Sequence, residues 1–295
     1  MLNTHSPSRS SGDNTKTIPF LKWAGGKRWL ASSLIKEIGQ PEGRYIEPFL
    51  GGGAVFFTLH PKDAVLGDLN TELVDTYRAI QTNWRGVLER LERHQEVHSK
   101  EYYYSIRSVI PVGQLDRAAR FIYLNRTCWN GLYRVNLSGV FNVPIGTKDT
   151  VLLDTDDFEA IANLLESAEV LADDFEPLID QAAEGDVVFA DPPYTVRHKF
   201  NGFVKYNENL FSWSDQVRLR NSLLRAINRG AKVFVTNADH ESIRSLYEDG
   251  FELSSVERYS SISGKSSTRG TYPELIITGK RVISDYSNEI TANPA

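Results

Sequence analysis

Cysteine is almost absent from this chain, because Cys128 is the only one among 295 residues. A single thiol excludes an internal disulfide and a zinc site built from several cysteines, and we expect no metal site. Sparse cysteine is typical of a reducing compartment, so we expect a cytoplasmic setting.

Long apolar runs are also absent. No stretch approaches the roughly 18 residues that a membrane helix needs, so no membrane partner is expected. The first 16 residues are polar and lack the apolar core of a secretory signal. We interpret residues 1–17 and 284–295 as disordered tails.

Lysine and arginine are missing from residues 151–186, which contain twelve acids. Residues 100–148, in contrast, contain seven basic residues and two acids. The net charge of −5 therefore hides a basic segment, which fits a nucleic-acid partner. Two solvated faces of opposite charge would produce the same pattern.

A short apolar segment, residues 187–190, precedes Asp191-Pro192-Pro193-Tyr194. Four apolar residues in a row predict a buried strand, and the prolines end it because they lack the N–H of a strand ladder. Asp191 and Tyr194 should then lie at the carboxyl end of a central strand, where open α/β sheets bind ligands. A carboxylate, a carbonyl and an aromatic ring suit a planar ring with an amino group. A solvated turn explains these four residues equally well.

The glycines from Gly51 to Gly53 follow a first predicted strand and precede an apolar helix start. This order is typical of the first half of a nucleotide-binding fold. Phe56 replaces the third glycine of the dinucleotide pattern, which disfavours a pyrophosphate and favours a nucleoside. Asp68 ends the next strand, where an acid accepts hydrogen bonds from ribose hydroxyls, and Glu47 is a second candidate polar contact.

Strand and helix patterns alternate at both ends of the chain and predict an α/β fold, interrupted by an insertion between residues 71 and 150. The polar stretches 195–213 and 260–271 are predicted to be loops. Strands are predicted near residue 46 and over 64–70, 168–172, 187–190, 232–236, 251–259 and 273–278. Helices are predicted over 29–38, 73–91, 117–124, 158–165, 177–183 and 217–228.

Within the insertion, residues 124–146 are rich in Asn, Arg, Gly and aromatic residues. Arg pairs with guanine and Asn with adenine in the major groove, and aromatic rings stack on bases. Residues 137–140 predict a tight hairpin turn. An ordinary β-hairpin is the alternative, but this stretch, which includes Arg126, is also the most basic part of the chain.

Four blocks of the sequence, taken together, resemble the Dam-like DNA adenine-N6 methyltransferases. Residues 20–27 match the family's F-x-K-W-x-G-G-K opening, residues 47–53 its E-P-F-x-G-x-G loop, and residues 191–194 its D-P-P-Y block. Residues 124–146 resemble the L-N-R…N-G-L-x-R-x-N…F-N-x-P-x-G pattern of members that methylate GATC-type sites. The resemblance runs from residue 18 to residue 280.

The resemblance implies a fold and a division into domains. The fold would be α/β, with a Rossmann-like methyltransferase sheet of seven mostly parallel strands and one antiparallel edge strand. Residues 18–70 and 152–283 would form a discontinuous catalytic domain. Residues 71–151 would form an inserted, mainly helical target-recognition domain with a β-hairpin.

The resemblance also implies a cofactor, S-adenosyl-L-methionine, and a catalytic site at the D-P-P-Y block. Asp191 and the Pro192 carbonyl would accept the hydrogens of the target amine, and Tyr194 would stack on the target base. Asp68 would bind the ribose hydroxyls of the cofactor. The implied cofactor contacts are Trp23, Lys27, Phe49, Gly51, Gly53, Asp68, Asp174, Phe175 and Asp191, with Asp174 and Phe175 flanking the cofactor adenine.

The implied partner is double-stranded DNA, bound by a chain that is a monomer in solution, with room for more than one copy on DNA. Arg134 and Leu132 would read one base pair, and Lys22 would read the outer guanine. Trp129 would stack into the gap that a flipped base leaves. The two residues after Gly146 depart from the family pattern, so the outermost base pair stays open. The predicted DNA contacts are Lys22, Arg126, Trp129, Asn130, Leu132, Arg134, Asn136, Asn142 and Pro144.

The predicted reaction is direct methyl transfer to N6 of adenine in a GATC or GATC-like duplex site, after base flipping. An N4-cytosine methyltransferase would need the same fold and the same amine geometry, so it stays open. A DNA-binding protein without catalysis is a second alternative. A dinucleotide dehydrogenase is disfavoured by the missing third glycine. A restriction system, a phage and a solitary regulatory role are not distinguished.

Overall fold

Seven strands pair into one central sheet in the computed structural model, which describes residues 17–136, 139–195, 211–259 and 271–280. Their bounds are β1 Tyr45–Glu47, β2 Ala64–Gly67, β3 Ala168–Leu171, β4 Val187–Ala190, β5 Lys232–Ala238, β6 Phe251–Tyr259 and β7 Thr271–Gly279. The strand order across the sheet is β3-β2-β1-β4-β5-β7-β6.

The sheet is mostly parallel. Strands β3, β2, β1, β4 and β5 pair in parallel, and β7 runs antiparallel to both β5 and β6. The predicted sheet of seven mostly parallel strands is confirmed, and its antiparallel strand β7 lies one position inside the edge that β6 forms. All residues of β1, β2 and β4 are buried, as expected for parallel strands that helices cover on both faces.

Nine α-helices and one short 3₁₀ helix lie in the part of the chain that the structure describes. None of these helices is both long and apolar enough to cross a membrane. Two of them, Lys100–Ser108 and Glu241–Tyr247, have no counterpart in the predicted helices, and each has fewer than ten residues. The short helix Phe56–Leu59 follows the glycines where an apolar helix start is predicted. The bounds are α1 Arg28–Ile38, α2 Phe56–Leu59, α3 Thr71–Glu96, α4 Lys100–Ser108, α5 Gln114–Thr127, α6 Phe158–Leu165, α7 Phe175–Asp180, α8 Trp213–Asn228 and α9 Glu241–Tyr247, with the 3₁₀ helix over Trp129–Gly131.

Side-chain caps determine where two of the helices begin. Asn70 accepts a hydrogen bond from the backbone N–H of Leu73 and begins α3. Ser212 and Asp215 form a capping box, so α8 begins four residues before the predicted start at residue 217. The apolar periodicity located the buried part of α8 but not its polar first turn.

Helix α3 leads from the sheet into the insertion. Its first half packs Tyr77 against Phe20 and Phe57, which lie near the sheet. The helix is irregular at Asn83, whose side chain accepts from Gly86 N–H, and its second half packs along α5. One buried apolar cluster contains side chains from both sides of residue 71, and the division into domains there stays a prediction.

The chain after α5 turns back on the end of that helix. Trp129 N–H donates to the Pro144 carbonyl, at 2.9 Å, and isolated bridges join Cys128 to Ile145 and Val135 to Phe141. In the described residues, the predicted β-hairpin is represented by the Val135–Phe141 bridge and by the hydrogen bond from Asn136 N–H to the Val140 carbonyl, at 2.9 Å. The other predicted loops and tails fall mostly at residues 1–16, 137–138, 196–210, 260–270 and 281–295, which lie outside the described residues.

The carboxyl ends of β1, β2 and β4 lie together because these strands are parallel and β1 pairs with both of the others. Glu47 ends β1, Asp68 follows β2, and Asp191 follows β4. The fold thus places the three predicted acidic positions at one edge of the sheet, which is where open α/β sheets bind ligands.

Candidate active site

Asp191 presents one engaged oxygen and one open oxygen. Its Oδ1 accepts hydrogen bonds from Lys27 Nζ, at 2.9 Å, and from Thr236 Oγ1, at 2.7 Å. Its Oδ2 has no donor among the described residues, and the side chain keeps 18% of its surface exposed. Burial raises the pKa of Asp191, although the ammonium group of Lys27 opposes this shift. The open oxygen can accept a hydrogen from a ligand.

Pro192 adds a second open acceptor directly after Asp191. Neither Pro192 nor Pro193 has a backbone N–H, so this segment cannot continue the ladder of β4. The Pro192 carbonyl accepts no hydrogen bond from the described residues. The predicted pair of acceptors is thus present side by side at the end of β4.

Tyr194 is held by a carboxylate that the sequence analysis did not single out. Its hydroxyl donates to Glu274 Oε2, at 3.1 Å, and Lys27 Nζ lies 5.0 Å from the centre of its ring. Glu274 is buried on β7, with its Oε2 3.6 Å from Lys27 Nζ. Glu274 is the only acid in β7 and is followed by three apolar residues. A lone acid in such a strand was the signal in the sequence that could have indicated this role. Thr236, also missed, carried no such signal.

The glycine loop after β1 lies against Trp23. Gly51 and Gly53 have positive φ angles of 47° and 63°, which favour glycine. A Cβ atom on Gly51 would lie 2.6 Å from Trp23 Cδ1, so the indole packs directly on the loop backbone. The structure therefore brings together three of the predicted cofactor residues.

Asp68 fixes the conformation of the same loop. Its Oδ2 accepts from Gly51 N–H at 3.0 Å, and its Oδ1 accepts from Asn70 N–H at 2.9 Å. The side chain is half-buried, and burial raises the pKa of Asp68. Each oxygen keeps a lone pair for a ligand, so this carboxylate fits the hydroxyls of a ribose.

Three phenylalanines form the apolar side of the loop. The ring of Phe49 stacks on Phe175 at 5.4 Å and meets the edge of Phe211 at 5.5 Å. Phe49 is half-buried, whereas Phe175 is buried, with the guanidinium of Arg218 4.2 Å from its ring centre. Phe49 is thus the accessible ring for an adenine. Contact of Phe175 with the cofactor stays a prediction.

Asp174, the other residue predicted beside the cofactor adenine, is engaged by the same arginine. Its two oxygens accept from Arg218 at 2.8 and 2.9 Å, and Oδ1 also caps α7 through Glu176 N–H. The pair is partly exposed, with 29% of the Asp174 side chain accessible. Arg218 was not among the predicted residues, and it fixes this carboxylate beside Phe175.

Glu47 is buried at the end of β1 and keeps a proton at neutral pH. Burial, together with the charges of Asp191 and Asp68, raises its pKa to about 8, although the hydroxyl of Tyr45, 2.9 Å from Oε2, opposes the shift. A protonated Glu47 avoids a third negative charge at this edge. Together, the loop, Asp68 and Phe49 fit a nucleoside cofactor beside an acceptor for an amine.

The predicted DNA-reading residues lie mostly on the surface of the insertion. Trp129 is 53% exposed, and Asn130 is exposed with a φ angle of +59°. Lys22 packs on Gly131, where a Cβ atom would lie 2.6 Å from its Cδ, and Asn125 clamps both backbone groups of Lys22. Asn136, Asn142 and Pro144 are exposed, and Leu132 and Arg134 are half-buried.

Arg126 corrects the prediction, because it is buried and cannot contact a duplex. Its guanidinium binds Asp156 through two hydrogen bonds of 2.6 and 2.7 Å. It also donates to the carbonyls of Phe20 and Val151. Only 5% of the residue is exposed. The basic character of the segment concealed this role, since a sequence does not show which arginine has a buried acid as partner.

Tyr133 links the cofactor loop to the recognition segment. Its ring centre lies 6.3 Å from that of Trp23 and 4.2 Å from that of Phe121. Its hydroxyl donates to Glu72, at the start of α3. Tyr133 stands between Leu132 and Arg134 in the chain, so its contacts locate both residues. Tyr133 was not among the predicted site residues.

Comparison with known proteins agrees with this geometry. A family model described as D12 class N6 adenine-specific DNA methyltransferase matches residues 23–262. The chain is 38% identical over 269 residues to the "Type II methyltransferase M1.LlaDCHI" of Lactococcus lactis subsp. cremoris, covering 88% of this chain and 94% of that protein.

Two further relatives have names of the same kind. The "DNA adenine methylase" of Haemophilus influenzae is 31% identical over 268 residues, covering 88% of this chain and 93% of the relative. The "DNA N-6-adenine-methyltransferase" of Escherichia phage P1 is 37% identical over 263 residues, covering 87% of this chain but 35% of that longer protein. The chain belongs to the D12 class N6 adenine-specific DNA methyltransferases.

Proposed function

We propose that this chain methylates adenine within a GATC or GATC-like duplex site, after flipping the base out of the helix. Its family membership makes it an enzyme that uses S-adenosyl-L-methionine to methylate adenine N6 in DNA. The same membership argues against the N4-cytosine and non-catalytic alternatives. The observation that carries the proposed mechanism is the pair of open acceptors, Asp191 Oδ2 and the Pro192 carbonyl.

The two acceptors would act on the amine geometry. The lone pair of an exocyclic adenine amine is delocalised into the ring, which makes the nitrogen a weak nucleophile. Asp191 Oδ2 and the Pro192 carbonyl would each accept one hydrogen of the amine and favour a pyramidal nitrogen. The gain comes from orientation and from negative charge placed where positive charge develops. The bound cofactor supplies an electrophilic methyl group on its sulfonium.

Asp191 would also receive the proton that N6 loses. The new nitrogen–carbon bond would replace the sulfur–carbon bond of the cofactor, and the product amine would then release one proton. A solvated carboxylate, with a pKa near 4, is a weak base for this step. Burial raises the pKa of Asp191, which makes it a better proton acceptor at the stage when positive charge is present on N6.

Tyr194 and Trp129 would offset the cost of base flipping. Extruding a base from a duplex costs a few kcal/mol, and stacking on an aromatic ring recovers part of it. The Tyr194 ring would receive the target adenine beside Asp191. Trp129, which is 53% exposed, would fill the gap in the duplex.

Arg134, Leu132 and Lys22 would read the site. Arg134 follows Tyr133, whose ring is packed between the cofactor loop and α5, so the guanidinium starts from a fixed backbone. A fixed arginine can be bidentate to one guanine, which specifies sequence better than a mobile surface charge. We further propose that the chain is a monomer in solution.

The experiment is methylation of short duplexes with methyl-labelled S-adenosyl-L-methionine. One duplex contains a GATC site, and control duplexes change a single base pair of that site. The products are digested to nucleosides, and the methylated nucleoside is identified and its position mapped. We expect N6-methyladenine at the GATC adenine and reduced product in the controls. Methylation that ignores the site would contradict the proposed specificity.

Flipping is tested separately with 2-aminopurine in place of the target adenine. Its fluorescence rises when it leaves the base stack, so binding of the chain should raise it. The same probe placed outside the site should change little. Equal fluorescence at both positions would contradict base flipping.

A further inference from the structure

A buried carboxylate on β7, Glu274, contacts Tyr194 of the catalytic block. In the antiparallel ladder it pairs with Ala238, the last residue of β5. Its Oε2 accepts from the Tyr194 hydroxyl at 3.1 Å and lies 3.6 Å from Lys27 Nζ. The residue is 4% exposed. A carboxylate in an apolar strand costs burial energy unless it is paired, and Tyr194 and Lys27, two of its partners, belong to the site.

Lys27 is shared between two carboxylates. Its Nζ lies 2.9 Å from Asp191 Oδ1 and 3.6 Å from Glu274 Oε2, and it also donates to the Gly25 carbonyl at 2.8 Å. A buried ammonium with Asp191 as its single counter-ion would cancel the charge of that acceptor. With Glu274 present, the three side chains together keep one net negative charge. That charge suits a site where a sulfonium binds and positive charge develops on an amine.

Tyr194 needs an anchor because it must offer a ring face. The chain leaves β4 through two prolines, which fix the backbone but do not by themselves set the side-chain torsions of Tyr194. The hydrogen bond to Glu274 restrains the far end of the ring, and Lys27 Nζ lies 5.0 Å from the ring centre. The ring, the cation and Asp191 are thus held in one arrangement by contacts that include Glu274.

We infer that Glu274 is a positioning residue for methyl transfer, which holds the Tyr194 ring for the target base and provides Lys27 with a second carboxylate beside Asp191. This inference rests on the proposed function of Asp191 and Tyr194. It assigns no contact between Glu274 and the substrate.

The test is a double-mutant cycle with Glu274→Gln, Glu274→Ala and Tyr194→Phe. Gln keeps the shape and an acceptor oxygen but removes the charge, whereas Ala removes both contacts. We expect Glu274→Ala to lower kcat at least tenfold with KM for the cofactor changed less than twofold, and Glu274→Gln to lower kcat by a smaller factor. In the Tyr194→Phe background, which lacks the hydroxyl, the further loss from Glu274→Ala should be clearly smaller.

A matched control and a second readout separate positioning from folding. Glu252→Gln, on the exposed face of the neighbouring strand β6, should leave kcat and flipping unchanged. With 2-aminopurine at the target position, Glu274→Ala should alter the fluorescence of the bound complex, because the ring that receives the base is no longer held. Should Glu274→Ala fail to fold, Glu274→Gln combined with Tyr194→Phe completes the cycle.

The outcomes distinguish this inference from the proposed function. Wild-type methylation of adenine together with wild-type kcat in both Glu274 variants would overturn the inference alone. Losses that multiply independently in the double variant would also overturn it. A wild-type chain that transfers no methyl group to the site would overturn the proposed function and the inference together.

Discussion

Lys27 and Asp191 meet through a single carboxylate oxygen: Nζ lies 2.9 Å from Oδ1, and Oδ2 faces away without a donor among the described residues. One oxygen thus anchors the side chain while the other stays available. An acceptor held in this way needs little reorganisation when an amine arrives, which is the basis of electrostatic preorganisation.

Asp191→Ala should abolish methyl transfer while duplex binding survives. The variant removes an acceptor but no residue predicted to contact the DNA surface, so kcat should fall by at least about 10²–10³-fold. Single-turnover transfer of labelled methyl groups measures the first effect, and a gel-shift titration measures the second. Full activity would remove Asp191 from the proposed mechanism.

Arg134→Ala should relax sequence choice at one base pair. Loss of a bidentate contact costs about 1–3 kcal/mol of discrimination at that position. Rates on duplexes with each single substitution in the site provide the measurement. Arg117→Ala, an exposed arginine of α5, is the control and should not change the preference. A uniform loss of affinity on all sequences would indicate that Arg134 contacts a phosphate.

Arg126→Ala should destabilise the protein rather than change its sequence preference. The side chains of Arg126 and Asp156 are 4% and 9% exposed, and breaking a buried pair costs about 3–5 kcal/mol in the free energy of unfolding. Arg85→Ala breaks the exposed pair with Glu159 and should cost less than about 1 kcal/mol. Urea unfolding of both variants gives the comparison, and equal losses would refute the burial argument.

Gly51→Ala should weaken cofactor binding. A Cβ atom would collide with Trp23 Cδ1 at 2.6 Å, at a φ angle of +47°. Gly39→Ala is the matched control, because Gly39 also has a positive φ, +66°, but a Cβ atom there would meet no other atom within 4 Å. Calorimetric titration with S-adenosyl-L-methionine should show at least about tenfold weaker binding to the Gly51→Ala variant, because about 1.4 kcal/mol of strain is enough to raise Kd tenfold. Equal losses of cofactor affinity in the two variants would show that backbone strain, and not the collision with Trp23, causes the effect.

Glu47 should make the protein less stable as the pH rises. Burial raises its pKa from about 4.5 to about 8, so between these values the folded protein keeps a proton that the unfolded chain releases. The free energy of unfolding then falls with rising pH, by up to about 1.4 kcal/mol per pH unit. Glu47→Gln should remove this dependence of the free energy of unfolding on pH, whereas Glu37→Gln, at an exposed position, should leave the dependence unchanged. Urea unfolding at several pH values in this range measures the slope. An unchanged slope in Glu47→Gln would contradict the assignment of the raised pKa to Glu47.

The order of strands and helices along the chain could be predicted because the patterns that indicate them are local in the sequence. Apolar runs that end in acids or glycines predicted the strands. The blocks around Gly51 and Asp191 predicted the edge of the sheet at which the site lies. The roles of Arg126 and Glu274 could not be predicted in the same way. Each depends on a partner more than twenty residues away, Asp156 in one case and Tyr194 in the other. A basic residue in a basic segment and an acid in a strand look alike whether or not such a partner exists.

The cofactor side of the site was predicted in part. Asp68 lies beside the glycine loop and accepts from Gly51 N–H, a contact that was not predicted, and its contact with the ribose stays a prediction. Phe175 is covered by Arg218, which comes from a helix about forty residues further along. The sequence shows that an aromatic residue follows Asp174. It does not show which side of the ring a later helix will cover.

The stacking of Trp23 on Tyr133 has a consequence for exchanging recognition segments between relatives. Tyr133 is fixed by Trp23, Phe121 and Glu72, which lie in three other parts of the chain. A chimaera that imports only the stretch around Arg134 would present the new reading residues from an unsupported backbone. Transplanted specificity in this protein should therefore require the aromatic partners to travel with the segment.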